Sequence, residues 1–321
     1  MTIRLGVIGC ADVARRKTLP ALEQVPELNL VALASRDLDK AETFSARFGG
    51  EPVAGYDALL ARTDIDAVYI PLPPSLHAHW AHRALHAGLH VLMEKPLATT
   101  KAEAWAAASA ACERDLVLVE NFTFLHHSMH AAVTQLVTDG VIGELRALTA
   151  DFAFPPLPDS DIRYRPELHG GALYDAGVYP IRAAQLFLGP ELELVGATLR
   201  MSPKHNVDIA GSALLASPTG VTAQLTFGFA HDYRCAYTLW GEHGRISVHR
   251  AFTPPDDLAP IVRIGRQGVI EERRLSPDTQ FRNSLVAFAR AVGTGRGTDV
   301  AAIVRQAELV EAIATTARRI R

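Results

Sequence analysis

The sequence is poor in three things, and each absence excludes a class of protein. Cysteine occurs only as Cys10, Cys112 and Cys235. An odd number spaced so widely fits neither a disulfide framework nor a Cys-x-x-Cys metal site, so a reducing cytoplasm is the expected setting. No apolar run reaches the roughly 20 residues that span a bilayer. Met1-Thr-Ile-Arg-Leu leads directly into a strand pattern with neither a basic leader nor a signal region, so neither export nor a membrane partner is expected. An excess of one charge is missing too: 32 Lys and Arg stand against 35 Asp and Glu, a formal charge of −3. Without a single-sign run to track a phosphate backbone, nucleic acid is not an expected partner. Internal repeats and low-complexity linkers are absent as well.

What remains is an ordinary globular composition, 48% hydrophobic and 21% charged, in 321 residues, enough for two domains with their own cores. From Ile3 to about Glu120 short apolar runs alternate with helical patterns, the mark of a parallel sheet covered on both faces. Strands are expected at residues 5–8, 30–34, 67–70, 91–93 and 116–119, and helices at 39–48, 75–87 and 101–114. The texture then changes. A helix over 128–138 is closed by Gly140, and residues 221–229 alternate apolar with small or polar side chains. The turn Ser217-Pro-Thr-Gly220 joins that strand to residues 212–216 as a hairpin. A last helix over 300–320 carries Val300, Ile303, Ala307, Val310, Ala314 and Ala317 on one face. The expected fold is α/β. An N-terminal Rossmann dinucleotide-binding domain (1–122) precedes a C-terminal α+β domain (123–321) with a large, mostly antiparallel open-faced sheet. Period-two alternation suggests that the open face also meets something, so a homodimer or homotetramer through this sheet is expected.

The first strand-helix turn, Gly9-Cys10-Ala11-Asp12-Val13-Ala14, places Gly9, Ala11 and Ala14 where the dinucleotide fingerprint wants small residues. Alanine at the middle place leaves a merely tight strand-helix turn as the competing account. Its position, opening a strand-helix-strand unit, favours the nucleotide. The second strand ends at Ser35-Arg36-Asp37, where an NAD enzyme usually offers a carboxylate to the ribose. Ser35 and Arg36 offer a hydroxyl and a guanidinium, which suit a 2′-phosphate. NADP(H) is therefore the expected cofactor, with Asp37 opening the next helix. The alternative makes Asp37 the ribose ligand and Arg36 a surface residue.

Val91-Leu-Met-Glu-Lys-Pro-Leu97 ends an apolar strand with a glutamate, a long cation and a proline. With Ala67-Val-Tyr-Ile-Pro-Leu-Pro-Pro-Ser-Leu-His77 it lies at successive strand ends, the edge on which such sheets bind ligands. Glu94-Lys95-Pro96, Asp139-Gly-Val-Ile-Gly143, Gly170-Gly-Ala-Leu-Tyr-Asp-Ala-Gly-Val-Tyr179 and Leu239-Trp-Gly-Glu-His-Gly244, taken in order over nearly the whole chain, resemble the family of glucose-fructose oxidoreductase, inositol dehydrogenase and the rhizopine-catabolism oxidoreductases. That resemblance implies that Lys95 reaches between nicotinamide and substrate and that Pro96 follows a cis peptide. It also implies that Leu72, His77 and Glu94 lie on the cofactor side with Gly9 to Val13, Ser35 and Arg36. Tyr179 stands where many members carry histidine, Arg182 where an aspartate is frequent and Leu125 where an arginine is frequent. Tyrosine there resembles the branch acting on sugars with NADP. The wording Asn121-Phe-Thr-Phe-Leu-His-His-Ser-Met-His130 looks most like nucleotide-hexose 3-ketoreductases of deoxysugar pathways.

His126 and His130 have the spacing of paired zinc ligands, but no Glu follows the first and no cysteine is near, so no metal is expected. Arg163 and Arg165 precede the Gly-Gly pair and suit a diphosphate, with surface solvation as the competing account. The expected activity is NADPH-dependent reduction of the C3 carbonyl of a nucleotide-linked, dTDP-type keto-deoxyhexose. Lys95 or Tyr179 would donate the proton, Asp175 would orient the sugar, and Arg163 and Arg165 would bind the substrate's diphosphate. The alternatives are an NADP-dependent dehydrogenase of a free sugar or a trans-dihydrodiol, and a regulatory protein that binds cofactor without chemistry.

Overall fold

In the computed structural model, which describes residues 2–321, six short runs pair side by side: β1 (Ile3–Ile8), β2 (Leu28–Ser35), β3 (Glu51–Ala54), β4 (Ala67–Ile70), β5 (His90–Met93) and β6 (Leu118–Glu120). Every pairing is parallel, in the order β3-β2-β1-β4-β5-β6. All four residues of β4 are buried, as expected of a parallel strand covered on both faces. Helices Leu38–Phe48, Pro74–His86 and Lys101–Glu113 follow from local signals. Asp37 accepts from the Asp39 N–H at 3.1 Å and Thr100 from the Glu103 N–H at 3.2 Å, so both helices open on a side-chain cap. The order reverses between β1 and β4, and ligands of such sheets bind outside the carboxyl ends at that point. Gly9, Leu72 and Lys95 follow the ends of β1, β4 and β5. Strand β3 escapes the sequence reading because it has four residues and contains Pro52, which an edge strand tolerates.

The chain separates into two units, Met1–Thr123 with Phe281–Val304, and Phe124–Gln280 with Arg305–Arg321. This differs from a division at residue 122 in one segment. Leu285, Phe288 and Ala289 are buried in one cluster with Ile3, Leu5, Leu28 and Phe44, and Thr298 Oγ1 accepts from the Leu118 N–H at 2.8 Å. An apolar helical stripe tells that a helix is covered, not by which sheet.

The second unit holds nine strands: β7 (Leu145–Ala153), β8 (Glu193–Met201), β9 (Asp208–Ala216), β10 (Thr222–Gly228), β11 (Arg234–Gly241), β12 (Arg245–His249), β13 (Ile261–Arg266), β14 (Val269–Arg274) and β15 (Arg318–Ile320). Their order is β14-β13-β12-β11-β7-β10-β9-β8-β15. Within this sheet, only β7 with β10 and β8 with β15 run parallel among the described residues. The β9–β10 hairpin pairs Ala216 with Thr222, as the turn residues predict. Helix Val178–Leu188 packs on β7 and β10, where Leu148, Phe152, Leu225 and Phe227 are buried. The final helix ends at Thr316 instead of continuing to residue 320. Residues 318–320 pair with β8 instead, because an open sheet edge supplies hydrogen-bond partners that the apolar repeat does not report. No described helix is long and apolar enough to cross a membrane.

Candidate active site

Gly9 has φ +111°, and a Cβ there would lie 2.6 Å from Leu72 Cδ2. Only glycine fits, because the left-handed backbone and the close approach of Leu72 both forbid a side chain. The helix begins at Asp12, so β1 runs into a helix N-terminus through three small residues, a surface built to receive a phosphate. Asp12 itself is paired to Arg15 at 2.6 Å and Arg16 at 2.5 Å, chiefly the Arg15 bond holding its carboxyl below the usual range. Burial pushes the Cys10 thiol up to about 11, against the nearby charge of Lys40, so Cys10 is a neutral lining residue.

At the end of β2, buried Ser35 accepts from the Asp37 N–H at 3.2 Å. Asp37 caps the next helix, so Ser35 and Arg36 are the residues of this strand end that could hold a phosphorylated ribose. The Arg36 guanidinium is hydrogen-bonded to Tyr56, whose phenol burial nevertheless pushes upward. Tyr56 carries no motif and was missed by the sequence reading. A guanidinium held by a phenol, with no carboxylate facing the ribose from Asp37, fits a 2′-phosphate.

Glu94 turns inward. Its Oε1 accepts from Tyr69 Oη at 2.8 Å and Asn121 Nδ2 at 2.9 Å. Asn121 Oδ1 in turn accepts from Ser284 Oγ at 2.6 Å. Burial pushes this carboxyl up, opposed in turn by Asn121, Tyr69, the Lys95 charge and the Lys95 N–H. The group whose sequence reading is cofactor-side is thus a buried support beneath Lys95. The Lys95–Pro96 bond is cis, as the resemblance implied. His77 is also buried, with Nδ1 2.7 Å from the Pro96 carbonyl and Nε2 2.6 Å from the Leu72 carbonyl. Two carbonyl acceptors favour the doubly protonated ring, but burial dominates and pushes His77 down to about 4. Both ring nitrogens face backbone, so His77 ties the loops after β4 and β5 together. Glu94→Ala should cost about 1–3 kcal/mol for each buried donor it orphans. Glu94→Gln should melt no lower than wild type at pH 8: a raised carboxylate pKa means stability is lost as pH rises through it, and the amide removes that loss. Thermal melts at pH 6 and 8 check both, and an equal drop for Gln and Ala at pH 8 would refute the assignment.

In the second unit the Gly170 N–H donates to the Arg165 carbonyl at 3.0 Å and the Gly171 N–H to the Arg163 carbonyl at 2.9 Å. A helical run then starts at Ala172 and carries Asp175 and Tyr179 one turn apart. Arg163 Nε donates to Asp175 Oδ2 at 2.5 Å and Nη1 to Asp161 Oδ1 at 3.2 Å. The Asp175 carboxylate raises the Arg163 pKa further, so the guanidinium stays charged. Arg163 therefore holds Asp175, a pairing that sequence spacing does not reveal, whereas Arg165 is exposed. Tyr179 is ringed by Phe124, Phe152 and Phe252, with centroids 5.9, 5.1 and 5.7 Å away. His130 is a core residue whose nitrogens meet Tyr237 Oη at 3.0 Å and the Ala251 carbonyl at 2.9 Å. Both of its ring nitrogens are thus engaged within the core.

A parallel nucleotide-type sheet with a lysine past β5, and a broad mixed sheet whose packed helix carries an aspartate and a tyrosine, define a two-domain oxidoreductase. The chain belongs to the GFO/IDH/MocA oxidoreductase family: residues 3–122 match its NAD-binding Rossmann fold and residues 130–247 its C-terminal domain. Within it, the chain is 52% identical over 320 residues to dTDP-3,4-didehydro-2,6-dideoxy-alpha-D-glucose 3-reductase of Actinomadura kijaniata, covering 99% of this chain and 96% of that one. The reductase of the same name from Saccharopolyspora spinosa is 50% identical, with 98% of each chain covered. The crystal structure of a 3-ketoreductase from Actinomadura kijaniata, in complex with NADP and TDP-benzene, superposes with a TM-score of 0.97 at 52% identity, over 100% of this chain and 99% of that one.

Proposed function

We propose that this protein reduces the C3 carbonyl of a dTDP-linked keto-deoxyhexose with NADPH, a step of deoxysugar biosynthesis. The observation that carries this reading is the 52% identity along 99% of the chain to a 3-reductase of such a sugar. Gly9 to Val13, Ser35 and Arg36 would hold the dinucleotide, which when bound supplies the hydride. As the carbonyl oxygen gains negative charge, the Lys95 ammonium stabilises it by Coulomb attraction and hydrogen bonding and delivers a proton. Tyr179 is the second candidate donor, on an aromatic wall that limits water. Asp175, held by Arg163, accepts hydrogen bonds from sugar hydroxyls, and Arg165 pairs with the diphosphate.

The nucleotide should matter although it does not react, because remote binding energy positions the reacting centre. A lost charged hydrogen bond is worth about 1.5–3 kcal/mol, so a free keto sugar should show kcat/KM lower by about 10- to 100-fold. Arg165→Ala should weaken only the nucleotide-linked substrate. Following NADPH absorbance with dTDP-linked and free sugars decides it, and equal turnover of free glucose or xylose would replace this reading by a free-sugar dehydrogenase. The reading extends to a homodimer or homotetramer through the C-terminal sheet, where Trp240 on β11 is 65% accessible. Light scattering that gives a monomer would remove that part.

A further inference from the structure

Asp208, the first residue of β9, lies in no motif singled out by the sequence, yet its carboxylate is buried against the start of the helix that bears Asp175 and Tyr179. Its Oδ2 accepts from the Leu173 N–H at 2.7 Å, and the Ala172 N–H donates to the same carboxylate. Gly171 makes the approach possible: its φ is +119°, and a Cβ there would lie 2.3 Å from Asp208 Oδ1. A helix leaves its first N–H groups without intrahelical partners, and a carboxylate is the strongest side-chain acceptor for them. The side chain that performs the cap thus comes from 35 residues downstream, on a strand of the sheet beneath.

We propose that Asp208 is a positioning residue: its negative charge orders the first turn of the helix carrying Asp175 and Tyr179, and the catalytic placement of both is lost when that charge is neutralised. The inference rests on the reductase reading above for its kinetic consequence only. Burial pushes the Asp208 carboxyl up to about 6, against the N–H groups of Leu173, Asp208 itself and Ala172 and then the charge of Arg319 on β15. The helix presents backbone N–H groups, and the charged side chain whose field reaches the carboxylate is Arg319. The sign separates this device from unfolding. A carboxyl with a raised folded-state pKa favours the folded state most when protonated, so its stability contribution is lost as pH rises through about 6 and regained below it. Acidification from pH 7 to 5 should lower kcat through Asp208 without lowering the melting temperature on its account.

Amide hydrogen exchange and pH profiles test it. In Asp208→Asn, amides 172–179 should exchange at least tenfold faster at pH 7 while the rest of the chain is unchanged. Its kcat should be low and flat across pH 5 to 7, with the KM for NADPH unmoved, whereas wild type should show an acid limb near pH 6. Arg319→Gln, an exposed change, should move that limb to higher pH by withdrawing a positive charge. Unchanged exchange at 172–179, or an acid limb that Asp208→Asn retains, would overturn the proposal. If Asp208→Asn fails to fold, the Arg319→Gln shift and the pH dependence of wild-type exchange at 172–179, corrected for intrinsic rates, decide in its place. A wild type inactive on every nucleotide sugar would overturn the reductase reading, and the exchange result would still support or overturn the role of Asp208.

Discussion

Lys95→Ala is expected to lower kcat/KM for a dTDP-linked keto sugar by at least the upper end of the about 10²- to 10⁴-fold range that a placed proton donor contributes. The substitution removes a full charge as well as a proton source, and an ammonium near a developing oxyanion acts in a partly dry site where Coulomb attraction is strong. It leaves Glu94 buried with its Tyr69 and Asn121 donors, so the end of β5 should hold its shape. Tyr179→Phe deletes one neutral hydroxyl from a ring that keeps its contacts with Phe124, Phe152 and Phe252. Its loss should be smaller, because Lys95 or water can still supply the proton. Both variants should be measured with one keto sugar at saturating NADPH, and cofactor affinity followed separately by fluorescence. A dead Tyr179→Phe beside a mildly impaired Lys95→Ala would reverse the roles, making the tyrosine the acid and the lysine its modulator.

Arg36→Ala is expected to raise the KM for NADPH by roughly 30- to 1,000-fold while changing the KM for NADH little. That range corresponds to about 2–4 kcal/mol for the loss of one guanidinium–phosphate pair. The discrimination is expected because the Arg36 guanidinium would pair with the 2′-phosphate that only NADPH carries, while Asp37 caps the next helix. Tyr56→Phe, which removes the phenol bonded to Arg36, should produce a weaker change in the same direction. Steady-state kinetics with both cofactors measure this, and an equal rise for NADPH and NADH would show that Arg36 serves the adenosine half common to both.

Much of the first unit is written locally in the chain. Short apolar runs between helical periods locate β1, β2, β4 and β5 within two residues, and Asp37 announces its helix because a cap is a contact between near neighbours. Gly9 is legible for the same reason: a strand-helix turn needs small residues wherever it occurs. Strand β3 is not, since four residues with a proline carry no period.

Periodicity and contacts within a few residues were thus enough for the two-domain α/β class, the dinucleotide-type first turn and the Ser35-Arg36 end of β2, while Lys95, Asp175 and Tyr179 were legible through the family resemblance of their motifs. The tertiary structure alone decided the rest: that the helix within Phe281–Val304 serves the first sheet, that residues 318–320 leave their helix for the edge of β8, that Arg163 holds Asp175, and that Asp208 caps the helix of Asp175 and Tyr179. Each of these depends on which buried group finds which partner. Asn121 and Ser284 meet across 163 residues; a buried polar group must be satisfied somewhere, but its own sequence neighbourhood does not say by whom.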